Sequence, residues 1–449
     1  MEYKPIIGLE VHIELKTKSK MFCSCSADHF GKPPNSQTCP ICLGMPGALP
    51  YPNRKAIEWV MMLGLALNCR LPLFSKFDRK NYFYPDLPKG FQISQYDQPL
   101  ARDGELKIKS GSLPGKQKLK TVRIRRVHLE EDTGKLIHQA GLTLIDFNRA
   151  GVPLVEIVTE PDIESSLEAK EFLEKLQQLV RSLGIANADM EKGQMRCEPT
   201  VNLEIETEQE IEKVFTPLVE IKNINSFKFA QKAIDYEIQR QLEEFEKTGQ
   251  EKQSGNKTTR GWDEVKQKTF LQRAKEEAAD YRYFPEPDIP PLVWTKKQIE
   301  DLKIKVLKLE LPDQKKERFI RDYNLSEYNA EVLVADRWKS AYFEEAVKVS
   351  GGLEVGTVAN WIINKKVDIN KTDPKQLVEL IRAKKEGVSA DTKEILTIVK
   401  KIIEDNQKIV AQYHQGKTGV LEFLIGQAMK AGKGQFNPEL VRKIILENL

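Results

Sequence analysis

The stretch GLEVHIEL, residues 8–15, sets Glu10, His12 and Glu14 between Leu9, Val11, Ile13 and Leu15. In an extended chain successive side chains point to opposite faces, so two carboxylates and an imidazole share one side and the apolar groups take the other. A solvated outer face is one reading of such alternation. Two more stretches repeat it: TVRIRRVHLEED ends with His128, Glu130 and Glu131, and VPLVEIVTEPD puts Glu156 and Glu160 on one face. Several acids set among β-branched apolar residues point to another reading. Carboxylates and neutral imidazoles are suitable ligands for Mg2+ or Mn2+, and a cation would relieve their mutual repulsion.

A second constellation is made of thiols. Cys23 and Cys25 are followed, after thirteen intervening residues, by Cys39 and Cys42 in a CPxCxG turn. Two such pairs match the spacing of a tetrahedral Zn2+ site, and a tight turn can aim backbone N–H groups at the sulfurs. Four cysteine ligands leave no open coordination position, so the zinc would be structural. The alternative is a redox dithiol or a set of unpaired thiols. Six cysteines in 449 residues do not make a disulfide scaffold.

The elements that must position these groups are mixed. Short alternating strands such as TVRIRRVHLEE, VPLVEIVTE and TPLVEIKN are separated by Gly, Pro and Asn turns and interleaved with amphipathic helices. One helix is predicted from a Ser226 cap through apolar positions 227, 230, 234, 238 and 242 to Gly249. The expected class is α+β: an N-terminal domain with an antiparallel sheet and helices over 1–292, bounded by DIPPLVW, an all-α domain over 293–392, and a small helical tail over 393–449 that starts near EGVSADTKE. Residues 248–261, TGQEKQSGNKTTRG, read as a loop. A net charge of +4 is too small at this length to announce a nucleic-acid partner, so any such binding rests on local patches. No apolar run reaches membrane-spanning length, and the first strand begins too early for a targeting peptide, which predicts a cytoplasmic protein with no membrane partner.

Seven motifs in order, GLEVHIELKTKSKMF, FDRKNYFYPDLPKGFQISQYDQPL, HLEEDTGK, VPLVEIVTEPD, DMEKGQMRC, VEIKNINSF and DYRYFPEPDIPPL, together with FLIGQAMKA in the tail, resemble the B subunits of the tRNA-dependent amidotransferases. That resemblance implies a cradle-shaped catalytic domain that uses ATP and Mg2+ to phosphorylate the side-chain carboxylate of Glu-tRNA(Gln) or Asp-tRNA(Asn). Ammonia would be channelled from a glutaminase A subunit, with a C subunit clasping the heterotrimer and the tail holding tRNA. It places Glu10, His12, Glu130 and Glu156 at the metal, with Glu14 solvated or behind them. It sets Lys80 and Lys89 near ATP phosphates or the ammonia route, against a bland reading as surface lysines. Glu191, Arg196, Lys222, Asn223, Asn225 and Ser226 fall in matched motifs and would contact nucleotide or the aminoacyl end of tRNA, against simple structural hydrogen bonding. Arg273, Lys275, Arg282 and Tyr283 combine cations with an aromatic ring, which suits a tRNA 3′ end.

The chain departs from the family pattern at Glu198, Pro199 and Thr200, at Ala274 and Ala279, and in a shorter segment before the tail. It carries no P-loop, amidase signature or convincing Cys/His nucleophile. The alternative function is a non-catalytic, zinc-stabilised tRNA-binding protein, which predicts substitutions at Glu10, His12, Glu130 or Glu156; none is substituted.

Overall fold

The structure is a computed structural model that describes residues 2–111, 118–206, 213–276, 281–364, 366–415, 417–432, 436 and 438–449; the side chains of 275, 276 and 385–391 also lie outside the described set. It divides into two compact units, Met1–Lys315 and Lys316–Leu449.

The first unit is built on a nine-stranded sheet. In chain order its strands are β1 (Glu2–Glu14), β2 (Ala101–Ser110), β3 (Lys118–Glu131), β4 (Pro153–Thr159), β5 (Met195–Glu206), β6 (Val214–Phe215), β7 (Val219–Lys222), β8 (Lys257–Asp263) and β9 (Lys268–Glu276). They lie in the order β9-β8-β7-β5-β1-β4-β3-β2, with β6 paired to β5. The first strand of the chain is therefore central, antiparallel to β5 on one side and to β4 on the other.

Alternation decides what each face does. Leu9, Val11 and Ile13 of β1, Val127 and Leu129 of β3, and Val155 and Ile157 of β4 are buried in one cluster with residues of α1 (Arg54–Ala66), α2 (Ser166–Ser182) and α3 (Phe227–Thr248). Each such side chain contributes about 1.5–3 kcal/mol. The helices cover only this face, which leaves the polar residues between those positions looking out from the other.

Four local expectations need correction. The sheet is not wholly antiparallel: β7 and β8 run parallel, because α3 intervenes and a crossover connection returns the chain in the same direction. The polar segment 248–261 is not all loop, since its last residues form β8, locked between β7 and β9. Glu14 is not solvated; it is 7 % exposed, with an oxygen 3.3 Å from His29 Nε2, because the end of β1 is covered by the chain that follows. Finally, one helix, Pro374–Asp405, runs unbroken through EGVSADTKE. A single interior glycine weakens a helix by about 1 kcal/mol without ending it, and the Asp373–Gln376 capping box and Pro374 set the start upstream.

In the second unit, the last part of α4 (Pro312–Tyr323), which begins before the unit boundary, shares one apolar cluster with α5 (Glu327–Val334), α6 (Arg337–Val349), α7 (Val355–Ile363) and the first part of α8 (Pro374–Asp405). The end of α8 joins α9 (Leu421–Ala431) and α10 (Pro438–Asn448) in another. No described helix is long and apolar enough to cross a membrane.

Candidate functional site

The polar face of the sheet carries a compact charged array whose pattern follows from strand register. On β4, Glu156 stands directly opposite His12 of β1 on one side and His128 of β3 on the other. Side chains two residues along a strand share a face, so Glu10 and Glu130 join the same surface at opposite ends of this row. His12 Nε2 lies 3.3 Å from Glu156, 3.8 Å from Glu10 and 3.9 Å from Glu130; His128 Nε2 lies 3.4 Å from Glu156 and 3.5 Å from Glu130. Ligand atoms of Glu10, His12 and Glu156 all approach within 4.8 Å of one another, as do those of His128, Glu130 and Glu156. Oxygen ligands with imidazoles fit Mg2+ or Mn2+.

His128 is not among the residues that the resemblance places at the metal. Its signal is visible all the same: His-x-Glu on β3 mirrors Glu-x-His on β1. Its Nδ1 is buried without a hydrogen-bond partner, so its polar engagement is through the nitrogen that faces the carboxylates.

The electrostatics match a site awaiting a cation. Burial disfavours both imidazolium ions, yet Glu156 and its acidic neighbours outweigh burial and raise His12 and His128 to about 9. Against its own burial, Glu130 is held down to about 2 by Lys80, with His128 assisting. Glu156, against its burial, is held well below the usual carboxylate range by the two histidines. Glu10 moves the other way: enclosure in the cleft and the charge of Glu156 push it up to about 7. A metal bound here would take over from protons, so its loading would expel them.

The array forms the floor of an open cleft of about 870 Å³. A short strand pair, Asp78–Asn81 with Phe91–Ser94, overhangs one side. Phe284–Pro285 pairs onto it, which brings Tyr281 and Tyr283 beside Lys80. Ser94 Oγ donates to Glu130 at 2.7 Å and Gln92 Nε2 at 3.2 Å, fixing that carboxylate. Tyr283 stacks on Tyr96 with ring centroids 4.3 Å apart, and Lys80 Nζ lies 5.0 Å from the Tyr281 ring. On the far side Arg196 donates to buried Asp132 at 2.9 Å, and Lys222 pairs with Glu198 at 2.8 Å and Glu220 at 2.9 Å. Glu198, a departure from the family pattern, is thus neutralised within the cleft wall.

The other expected residues fall elsewhere. Lys89 points into a separate pocket of about 180 Å³ beside Cys23 and Cys42, paired with Glu131. Glu191 is exposed in a turn and does not line the cleft. Asn223 is exposed with a left-handed φ of 63°, and Asn225 donates to Glu264 at 2.9 Å. Arg273 is exposed and reaches Tyr84 Oη at 3.3 Å; Arg282 is exposed on a left-handed backbone position. Lys275 lies on β9 with its side chain outside the described residues. Ser226 caps α3, accepting from the Phe229 N–H at 3.1 Å. Ser226→Ala should cost about 1 kcal/mol of stability, measured by urea unfolding. If Ser226 acts only as a cap, nucleotide affinity should stay unchanged in the same variant.

Cleft-wall ion pairs make a pH prediction. Against the penalty of its burial, Lys222 and Lys257 hold Glu220 down to about 2, below its ordinary 4.5. A depressed carboxylate stabilises the fold above its unfolded value and loses that contribution as pH falls through the folded one. Glu220→Gln should therefore lower stability by about 2 kcal/mol at pH 7. The gap from the unaltered chain should close between about pH 4.5 and 2; a gap independent of pH in urea titrations would refute this.

The four cysteine sulfurs converge within 4.8 Å of one another. Cys39 N–H donates to the Cys42 sulfur at 3.2 Å. A hydrogen bond from Cys23, working against burial and helped by that N–H and by Lys20, lowers Cys42 to about 4. Burial and contact with Cys39 push Cys25 up to about 11. Four converging sulfurs, with a backbone N–H and the Lys20 ammonium turned toward Cys42, fit a Zn2+ site.

Comparison with known families settles the relationship. The GatB/GatE catalytic domain model matches residues 5–300 and the GatB domain model matches 338–449. The chain belongs to the GatB family. Curated relatives named as the B subunit of aspartyl/glutamyl-tRNA(Asn/Gln) amidotransferase include those of Persephonella marina, 44% identical over 490 residues with all of both chains covered, and Thermotoga petrophila, 43% identical over 493 residues with 99% of this chain and 98% of the relative covered. That of Carboxydothermus hydrogenoformans is 42% identical over 494 residues, covering 100% of this chain and 99% of the relative. These alignments are longer than the 449 residues of this chain, so family members carry segments that it lacks.

Proposed function

We propose that this chain is the B subunit of a tRNA-dependent amidotransferase and carries its kinase-like step. It would transfer the terminal phosphoryl group of ATP to the side-chain carboxylate of Glu-tRNA(Gln), Asp-tRNA(Asn) or both, releasing ADP, and present the acyl phosphate to ammonia from a glutaminase A subunit, which forms the amide as phosphate leaves. A C subunit would complete the cytoplasmic heterotrimer, a ligase forming C–N bonds with glutamine as nitrogen donor. The observation that carries this reading is Glu156 flanked by His12 and His128, with Glu10 and Glu130 at the ends of the row, on the floor of a cleft whose walls present Lys80, Arg126, Arg196 and Lys222.

A carboxylate resists amination because its charge repels nucleophiles and oxide is a poor leaving group; phosphorylation removes both obstacles. Phosphoryl transfer needs positioning and charge neutralisation more than covalent help. Mg2+ held by Glu10, His12, Glu130 and Glu156, with His128 beside them, would supply charge neutralisation at the transferring phosphoryl group. Lys80 and Lys222 flank the cleft and would pair with phosphate oxygens, while Gln92 and Ser94 keep Glu130 aimed at the floor. The stacked Tyr96 and Tyr283 present a flat apolar surface suited to the terminal base of tRNA. Zn2+ on Cys23, Cys25, Cys39 and Cys42 would order the loop that packs behind this site.

The expected three-part organisation, 1–292, 293–392 and 393–449, belongs to the same reading. Two separate apolar clusters, spanning Phe319–Ile381 and Ile395–Ile445, support two helical bodies beyond the catalytic domain.

The test is to purify the chain with its A and C partners and supply each misacylated tRNA with ATP and Mg2+. ADP formation that requires misacylated tRNA, followed by glutamine-dependent amidation, is expected. tRNA binding without ADP formation would favour the non-catalytic alternative.

A further inference from the structure

Lys20 is 0 % exposed and ranks among the largest fully buried side chains of the protein. Its ammonium lies 3.6 Å from the Cys42 sulfur and 3.2 Å from the Phe147 carbonyl oxygen, and no described carboxylate pairs with it. A lysine kept wholly from water without an acid is costly unless another anion stands near.

The backbone is arranged to hold it there. Lys20 N–H donates to the Cys25 carbonyl at 2.9 Å, tying it to the first cysteine pair, while its side chain reaches the second. Met21 N–H donates to the Gly151 carbonyl at 2.7 Å. Gly151 has a left-handed φ of 85°, and a Cβ there would sit 3.5 Å from both Lys20 Cδ and Cys42 Cβ. Lysine, cysteine and glycine are thus packed against one another.

Zinc held by four thiolates keeps two surplus negative charges, and in a mostly buried site water cannot disperse them. We propose that Lys20 is the internal counter-charge of the four-cysteine site, a positioning residue whose buried ammonium offsets the excess charge of the zinc–thiolate cluster and sets its metal affinity. This rests on the zinc reading above. It also predicts an unequal contribution: the cation stabilises the protein most when the cluster is loaded and carries two surplus charges, and less when the metal is stripped and only the Cys42 sulfur faces it.

The test uses the full chain, its Lys20→Met form, which removes the charge at similar size, and its Lys20→Gln form, which keeps an N–H for Phe147. Zinc affinity is measured by competition with a chromophoric chelator, and thermal unfolding is recorded in saturating zinc and after chelation. Both variants should fold in saturating zinc and bind it about 10–100-fold more weakly. They should melt below the unaltered chain when loaded, and by a clearly smaller margin when stripped. Unchanged affinity, an equal fall in melting temperature with and without zinc, or failure of both variants to fold in saturating zinc would overturn the proposal. Absence of zinc from the unaltered chain would retire the zinc reading and this inference together, whereas one zinc per chain with unaltered affinity in the variants would retire the inference alone.

Discussion

Glu156→Gln should lower ATP-dependent amidation by about 10³-fold, the scale seen when a preorganised charge at a reacting centre is removed. Glu156 is common to both three-residue ligand sets found among the described residues and stands between the two imidazoles, 3.3 Å from His12 and 3.4 Å from His128. Glutamine has nearly the same shape and can still hydrogen-bond, which keeps the strand in place. The histidines lose the charge that keeps them protonated and can become neutral, which limits the damage to the fold. Under the proposed function glutamine hydrolysis would take place at a separate site on the A subunit, so it should persist in this variant, subject to coupling. The measurement is formation of amidated tRNA by the heterotrimer together with Mn2+ binding to the chain. Normal turnover at limiting metal would return these strands to the reading of a polar outer face.

Replacing Cys39 and Cys42 together by Ser should remove about one zinc per chain and loosen the segment they anchor. Thiolate–metal bonds couple binding to folding, and this segment runs from Ser26 to Pro50 without a regular helix or strand beyond one isolated bridge, its other ties being turn hydrogen bonds, the His29–Glu14 contact and the bonds of Pro33, Asn35 and Gln37 to residues 145–148. Hydrogen exchange there should accelerate by about 100-fold, while β1, β4 and β5 keep their protection because their core does not include Cys39 or Cys42. Metal analysis of the unaltered chain is the first control. Protection unchanged in the double variant would mean that packing alone orders the loop.

What can be read from the chain and what cannot divide along a physical line. Period-two alternation reveals the acid-bearing strands, since each of β1, β3 and β4 has to satisfy a core on one side only. Ser226 and Gly249 mark the ends of α3 because capping is a local matter of one side-chain oxygen and one left-handed residue. Cysteine spacing is legible for the same reason. Pairing is not local. Nothing near Glu10 says that it will lie beside Glu156, a strand 146 residues away in the chain, or that Glu198 will be neutralised by Lys222. His128 is visible in the chain as part of a His-x-Glu alternation, but its meeting with Glu156 depends on register across β3 and β4. Lys80 and Lys89 look equivalent around NYFYPDLP, yet one faces the cleft and the other the pocket beside the cysteines.

The central place of β1 has a consequence for how the protein is made. Its ladder with β5 pairs Glu2 with Glu206, and its ladder with β4 uses residues 154–158. A ribosome delivers β1 first, but neither neighbour exists until far later in synthesis, and chains emerge at about 5–20 residues per second. For roughly ten seconds or more the strand therefore waits with both hydrogen-bonding edges bare and its apolar side exposed. Such long-range pairing also folds slowly, because loop closure must precede any gain from contact. The interval before residue 206 leaves the exit tunnel thus leaves an unpaired strand open to edge-to-edge association, and its acidic face, Glu10 and Glu14 with their like charge, would help keep nascent copies apart until β4 and β5 arrive.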